Sequence, residues 1–281
     1  MTHIQIRRLM LIVASSLVLA RPAIAQSLAD RYAAYRCAIV RIETTEGVGT
    51  GFFIDAGGTL VTAAHVVYTR TFDKSGTVVT SHVKPISTLT VQIASGEIRK
   101  IQIGSLTESD IQDSFNDIVR IKTGIKPPCF LHQGSALSQK VGTHVLAIGF
   151  PTGATTPVLY DGFISGLALS SKIPIGAITS TGETVNKTLN LLRVQMPITR
   201  GVSGSPLITD DGKVIGVVSE IPLYWTQELT RLMQTYGANK ASSAIRLNGF
   251  DITKILADLA LAVSEFESPG AALVVPEDYL K

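Results

Sequence analysis

Gly201-Val202-Ser203-Gly204-Ser205-Pro206-Leu207 is the stretch of this 281-residue chain on which the reading of the fold turns. Glycines on both sides of a serine allow a tight turn and let backbone N–H groups aim at one point. A serine hydroxyl is a poor nucleophile until a neighbouring base takes its proton. The stretch therefore directs attention to an imidazole and to a carboxylate that would hold it. Two upstream segments supply them: Gly58-Thr-Leu-Val-Thr-Ala-Ala-His65-Val-Val and Asn116-Asp117-Ile-Val-Arg-Ile. Singly, each is ordinary: a turn, a half-buried histidine ending an apolar strand, an aspartate starting one. Together they provide a nucleophile, a base and an orienting carboxylate. Asp110 and Asp113 compete for the acid role, but they sit in a polar loop (107–116) with no apolar strand directly after them.

The order of the three segments separates fold families. An α/β-hydrolase runs Ser, acid, His. After export processing the histidines are His65, His82, His132 and His144, and none follows Ser203. The G-x-S-x-G elbow also fails, because position 205 is serine. A subtilisin order needs an aspartate well before His65, where Asp30 and Asp55 stand in poor context. His82, His132 and His144 have no partner motif, and no His/Asp/Glu cluster has metal spacing.

In the order His, Asp, Ser the sequence resembles the chymotrypsin-like (trypsin-fold) serine proteases, with HtrA/Deg-type and glutamyl-endopeptidase-like members nearest in feel. The residues that carry this are Gly49-Thr-Gly-Phe-Phe-Ile, Leu60-Val-Thr-Ala-Ala-His65, Asn116-Asp117-Ile-Val, Arg200-Gly-Val-Ser203-Gly-Ser-Pro-Leu and Gly216-Val-Val-Ser219. They span roughly residues 37–250. The resemblance implies an all-β fold of two six-stranded antiparallel β-barrels with the site in the cleft between them. It also implies that His65 is the general base, Asp117 its orienting acid and Ser203 the nucleophile. The backbone N–H groups of Gly201 and Ser203 would form the oxyanion hole. Gln195 to Arg200 and the strand Val217–Glu220 would line the primary substrate pocket, with Pro197, Ile198, Thr199, Val218 and Ser219 its candidate walls. Pro197 and Ile198 fall where a trypsin-like enzyme carries an aspartate, so an uncharged aliphatic P1 residue is expected rather than Lys or Arg.

Two departures limit the carry-over. Val202 stands where digestive members have an aspartate that pairs with a freed N-terminus, so that activation switch is absent. Ser205 stands where many members have glycine, a variant known in the glutamyl-specific branch. Residues 251–281 are too few for a PDZ domain. The expected function is an exported serine endopeptidase acting on a protein or peptide substrate without cofactor or metal. A catalytically inactive binding protein on the same scaffold, or an esterase with the same triad, are the alternatives.

The formal charge is +3, with 25 Lys and Arg against 22 Asp and Glu. Arg7, Arg8 and Arg21 precede or flank the uncharged run Leu9–Ala20, and Ala23-Ile-Ala25 follows it. That is the layout of a signal peptide over residues 1–25, cleaved after Ala25. Leu9–Ala20 is short for a membrane span. With it removed, basic and acidic residues balance at 22 each, and no Lys/Arg stripe with interleaved aromatics remains. Nucleic-acid binding loses its electrostatic basis. The mature chain is expected to be periplasmic or secreted, with no stable membrane span; its oligomeric state is not readable. Cys37 and Cys129 are the only cysteines. In an exported chain one disulfide between them and two buried thiols are both open.

Short β-branched runs bounded by Gly, Pro, Asp, Asn or Ser fill the chain from Ala38 to Ser219, as in sandwiches and barrels. Lys126-Pro127-Pro128 reads as a linker, dividing an N-terminal barrel (26–126) from a C-terminal one (127–250). Ser170–Asn186 reads as an exposed loop. Residues 251–281 read as a C-terminal α-helix, with Ile252, Ile255, Leu256, Leu259 and Val263 at helical spacing and Asp251 as N-cap, followed by a tail. Trp225–Tyr236 reads as a weaker helix.

Overall fold

The structure is a computed structural model. It describes residues 27–45, 47–75, 78–103, 111–112, 117–152, 154–178, 184–220, 246–248, 250–252, 255–256, 259, 271–276 and 278. The expected signal peptide, Asp110, Asp113 and Trp225–Tyr236 lie outside them. The chain forms two compact units, Met1–Arg31 and Tyr32–Lys281. In the first, the start of α1 (Leu28–Tyr35) is capped reciprocally: the Ser27 hydroxyl donates to the Asp30 carboxylate at 2.7 Å, and the Asp30 N–H donates to Ser27 Oγ at 3.1 Å. This satisfies N–H groups that a helix start leaves without intrahelical partners.

The second unit is built from strands. They run β1 (Ile39–Glu43), β2 (Val48–Phe53), β3 (Thr59–Thr62), β4 (Tyr68–Ser75), β5 (Val78–Pro85) and β6 (Thr88–Gln92). They continue as β7 (Ile98–Gln102), β8 (Ile111–Gln112), β9 (Val119–Lys122), β10 (His132–Gln133), β11 (His144–Gly149) and β12 (Val158–Ile178). The last are β13 (Thr184–Gln195), β14 (Pro206–Thr209), β15 (Lys213–Glu220), β16 (Arg246–Leu247), β17 (Phe250–Asp251) and β18 (Ala271–Pro276). A one-turn helix, α2 (Ala64–Val67), follows β3.

Two seven-stranded sheets hold most of these strands, in the orders β7-β6-β1-β2-β3-β9-β8 and β10-β15-β14-β11-β12-β13-β18. The mostly β architecture expected from the short β-branched runs is present. In the second sheet β18 also pairs with β15, placing Val217 opposite Val275, and closes a six-strand barrel. No pairing among the described residues closes the first sheet, which forms a half-barrel. Closure matters because an open edge leaves a row of unpaired N–H and C=O groups.

Burial alternates along β6 and β9, whereas β2, β11 and β14 are buried almost throughout, on both faces. One apolar core runs from Ile39, Ile42, Phe52, Phe53, Leu60 and Ile121 into Leu146, Ile148, Phe150 and Val217 of the second sheet. A second core fills the closed barrel with Val145, Ala147, Ile164, Val194, Val202 and Leu207. Lys126–Phe130 passes between the sheets without regular secondary structure. Because the first core spans both sheets, the two halves are not independently filled. Cys37 and Cys129 form a disulfide, with Cα atoms 5.7 Å apart, and tie the entry of β1 to that linker.

Two expectations need correction. Ser170–Asn186 is not a loop: β12 and β13 continue as a paired hairpin as far as Ile178 opposite Thr184. The backbone of both strands is satisfied by this pairing, which composition does not register. The C-terminal residues are not a tail, since Ala271–Pro276 is the strand that closes the barrel. Asp251 ends β17 and directly precedes helical Ile252. Positions 252, 255, 256 and 259 are helical as expected, but Ile255, Leu256 and Leu259 are exposed, not packed on a core. The hairpin β4–β5 had no counterpart in the sequence reading; its register pairs Thr71 with His82.

Candidate active site

β3 ends at Thr62, and the chain turns into α2 through buried Ala63. His65 is thereby held on a rigid turn with its ring about half exposed (48%). Asp117 wraps this turn. Its backbone carbonyl accepts the Ala64 N–H at 3.2 Å, and its Oδ1 accepts the His65 N–H at 2.9 Å. The His65 ring Nδ1 lies 3.0 Å from Oδ1 and 2.9 Å from Oδ2 of the same carboxylate. Asp117 reaches this position from a left-handed backbone conformation (φ 56°), just before β9 begins. Aspartate tolerates that region better than most residues. The sequence reading placed Asp117 at a strand start; it occupies the preceding turn.

Ser219, on β15, completes the surroundings of the carboxylate by donating its hydroxyl to Asp117 Oδ2. Burial pushes the Asp117 carboxyl up. The hydrogen bonds from His65, its charge and the Ser219 hydroxyl outweigh that and hold the group below the ordinary carboxylate range. The sequence reading assigned Ser219 to the pocket wall. Its contact with a residue 102 positions away carries no local signal.

Ser203 sits between Gly201 (φ 89°) and Gly204 (φ 89°). Both glycines are required. A Cβ on Gly204 would lie 1.9 Å from the Thr50 carbonyl oxygen, and one on Gly201 would lie 2.5 Å from the Phe150 carbonyl oxygen. The Ser203 hydroxyl donates to the Ser219 carbonyl at 3.1 Å, and among the described residues it makes no hydrogen bond to His65. Ser203 and Gly204 are anchored to both sheets: Thr50 N–H donates to Ser203 O at 2.8 Å, and Gly204 N–H donates to Val218 O at 2.7 Å.

Of the other expected pocket residues, Ile198 and Val218 are buried in the second core beside Val202, whereas Pro197 and Thr199 are exposed. His132 is exposed on β10. His144 pairs with two carboxylates, Asp210 at Nδ1 and Asp161 at Nε2, each at 2.5 Å. Among the described residues no group of three or more His, Cys, Asp or Glu is arranged to hold a metal ion. No described helix is long and apolar enough to cross a membrane.

The mitochondrial serine protease HTRA2 of Drosophila erecta is 26% identical over 181 residues, covering 62% of this chain and 35% of that protein. The HTRA2 of Drosophila virilis gives the same figures. The chain thus spans about a third of the length of these relatives. The fold is similar to that of the Rv3671c protease of M. tuberculosis in its active form (TM-score 0.54, 18% identity, 92% of this chain and 83% of that one). It is also similar to the HtrA-type protease AlgW with tripeptide (TM-score 0.55, 16% identity, 90% and 61%). Residues 49–217, from the strand that carries Thr50 to the one that carries Ser219, match the trypsin-like peptidase domain, and the chain belongs to that family.

Proposed function

We propose that the chain is an exported serine endopeptidase working through His65, Asp117 and Ser203. The observation that carries this reading is the grip of Asp117 on His65, at both the backbone N–H and ring Nδ1. With Nδ1–H donated to the carboxylate, Nε2 is the ring nitrogen that exchanges protons, and the carboxylate stabilises the imidazolium. Turning the Ser203 side chain from the Ser219 carbonyl toward Nε2 starts the reaction. Its proton passes to His65 as Oγ bonds to the substrate carbonyl carbon. The N–H groups of Gly201 and Ser203 take the charge on the oxygen. His65 then protonates the leaving amine, and water resolves the acyl-enzyme by the reverse sequence.

The substrate is a protein or peptide, as for the proteases the chain resembles. By the resemblance a small or medium aliphatic P1 residue is favoured, because Pro197 and Ile198 stand where a trypsin-like enzyme carries an aspartate; Glu220, at the end of β15, is the one carboxylate of the expected walls. The signal-like segment 1–25 supports export to the periplasm or beyond.

The test is labelling of the mature protein with a fluorophosphonate probe, with Ser203→Ala as control. Labelling of the wild type alone is expected; a folded wild type that stays unlabelled overturns the reading. Casein should be cleaved in preference to a short-chain ester, and the reverse ranking would make it an esterase. A cleavage profile dominated by Lys, Arg or Glu at P1 would overturn the aliphatic preference.

A further inference from the structure

We propose that Thr50 is a positioning residue for the oxyanion loop, through its side-chain hydroxyl. The inference rests on the catalytic reading above and adds a residue to it. Thr50 lies on β2 and is fully buried. All its polar atoms are engaged. Its hydroxyl donates to the Gly201 carbonyl at 2.8 Å and accepts the Phe150 N–H at 2.9 Å. Its backbone N–H donates to the Ser203 carbonyl at 2.8 Å, and its carbonyl accepts the Thr62 hydroxyl at 2.6 Å. One residue of the first sheet thus holds two carbonyls of the nucleophile loop.

The geometry explains why the hydroxyl matters for chemistry. The Gly201 N–H belongs to the peptide plane 200–201 and the Ser203 N–H to the plane 202–203. Between them lies the plane 201–202, whose carbonyl Thr50 Oγ1 holds. Gly201, at φ 89°, has no side chain to resist rotation on the N-terminal side of that plane. The two outer planes have other anchors: Thr152 N–H donates to the Arg200 carbonyl at 2.8 Å, and Ser205 N–H to the Val202 carbonyl at 2.9 Å. The middle plane has the Thr50 hydroxyl on its carbonyl and only a long bond, 3.3 Å, from Val202 N–H to Thr199 O on its other side. The same hydroxyl takes the Phe150 N–H at the exit of β11, one turn before Thr152. It therefore ties together the loop and the segment that steadies Arg200. Oxyanion donors act only when preset to the position of the developing charge.

Thr50→Val keeps shape and both backbone bonds and deletes only the hydroxyl. It should lower kcat by roughly 10- to 100-fold with KM nearly unchanged, since small misplacements of transition-state donors cost that much. Fluorophosphonate labelling should slow in parallel. Thr50→Ser, which restores the hydroxyl, should return kcat to within about threefold of wild type. Thr209→Val removes another buried hydroxyl, one bonded to Asp211 and to the Lys213 carbonyl and not to the nucleophile loop; it should leave kcat within the same range. If Thr50→Val does not fold, Thr50→Cys, with a small side chain and a weak donor, carries the same measurement. Wild-type kcat in the hydroxyl-less variant, a loss confined to KM, or no rescue by serine overturns the positioning role while leaving the catalytic reading intact. A wild type with no Ser203-dependent activity overturns both.

Discussion

Ser203 donates its hydroxyl hydrogen to the backbone carbonyl of Ser219, 3.1 Å away. The side chain of that same Ser219 donates to Asp117. One residue of β15 therefore touches both ends of the candidate triad, the nucleophile through its main chain and the acid through its hydroxyl. In the proposed reading, Ser203 rests on a carbonyl that cannot take its proton, and a rotation of its side chain brings it to its base.

Removing the Ser219 hydroxyl separates these roles. Ser219→Ala keeps the carbonyl and deprives a buried carboxylate of one donor. A hydrogen bond to a charged group is worth about 1.5–3 kcal/mol, so kcat should fall by roughly tenfold or more. Asp117 titrates below its ordinary value in the folded chain. Its hydrogen bonds therefore stabilise the fold above the unfolded carboxylate range and are lost as pH falls through the lowered folded value. In Ser219→Ala the acid limb of an unfolding curve should move to higher pH. An unchanged limb would mean that His65 alone sustains the shift.

His144 should make stability depend on pH in the opposite sense. Burial lowers its pKa, but hydrogen bonds and charge from Asp210 and Asp161 raise it above the ordinary 6.5. A raised folded pKa gives stability that is fully present below about pH 6.5 and is lost as pH rises through the folded value. His144→Gln should flatten the decline in the urea midpoint above that pH. The effect should be small, because all three side chains are more than a third exposed.

Ser205 is fully buried, and among the described residues its Oγ has no hydrogen-bond partner. A buried hydroxyl without a partner carries a desolvation cost with no compensation. Ser205→Ala should be neutral or stabilising by up to about 1 kcal/mol in denaturant unfolding, with Ser203 labelling retained. A loss of stability would show that the hydroxyl has a partner such as bound water.

Replacing Cys37 and Cys129 together by serine removes a cross-link that closes a separation of 92 residues. The chain-entropy account gives a loss of about 4–5 kcal/mol at most for a loop of that size. A midpoint shift on reduction, matched by the double variant and absent when the variant itself is reduced, is the expected pattern.

The chemistry-bearing residues were legible because their signals are local. Glycines around Ser203, the apolar strand ending at His65 and the strand after Asp117 each follow from residue types in short windows, and their chain order separates fold families. The disulfide was open from sequence, since two cysteines carry no information on distance. The hairpin across Ser170–Asn186 was misread because composition registers only whether a segment faces a core, and this one is satisfied by its own pairing. The closing strand Ala271–Pro276 was misread because its partners, β13 and β15, lie far upstream.

By itself, then, the sequence determined the β-rich class, the family resemblance and the three candidate reacting residues, since each is written in short-range pattern and order. Only the tertiary structure decided that Ser219 serves Asp117, that Thr50 holds Gly201 and that β18 closes the barrel. These contacts join residues that become neighbours only when strands far apart in the chain come together.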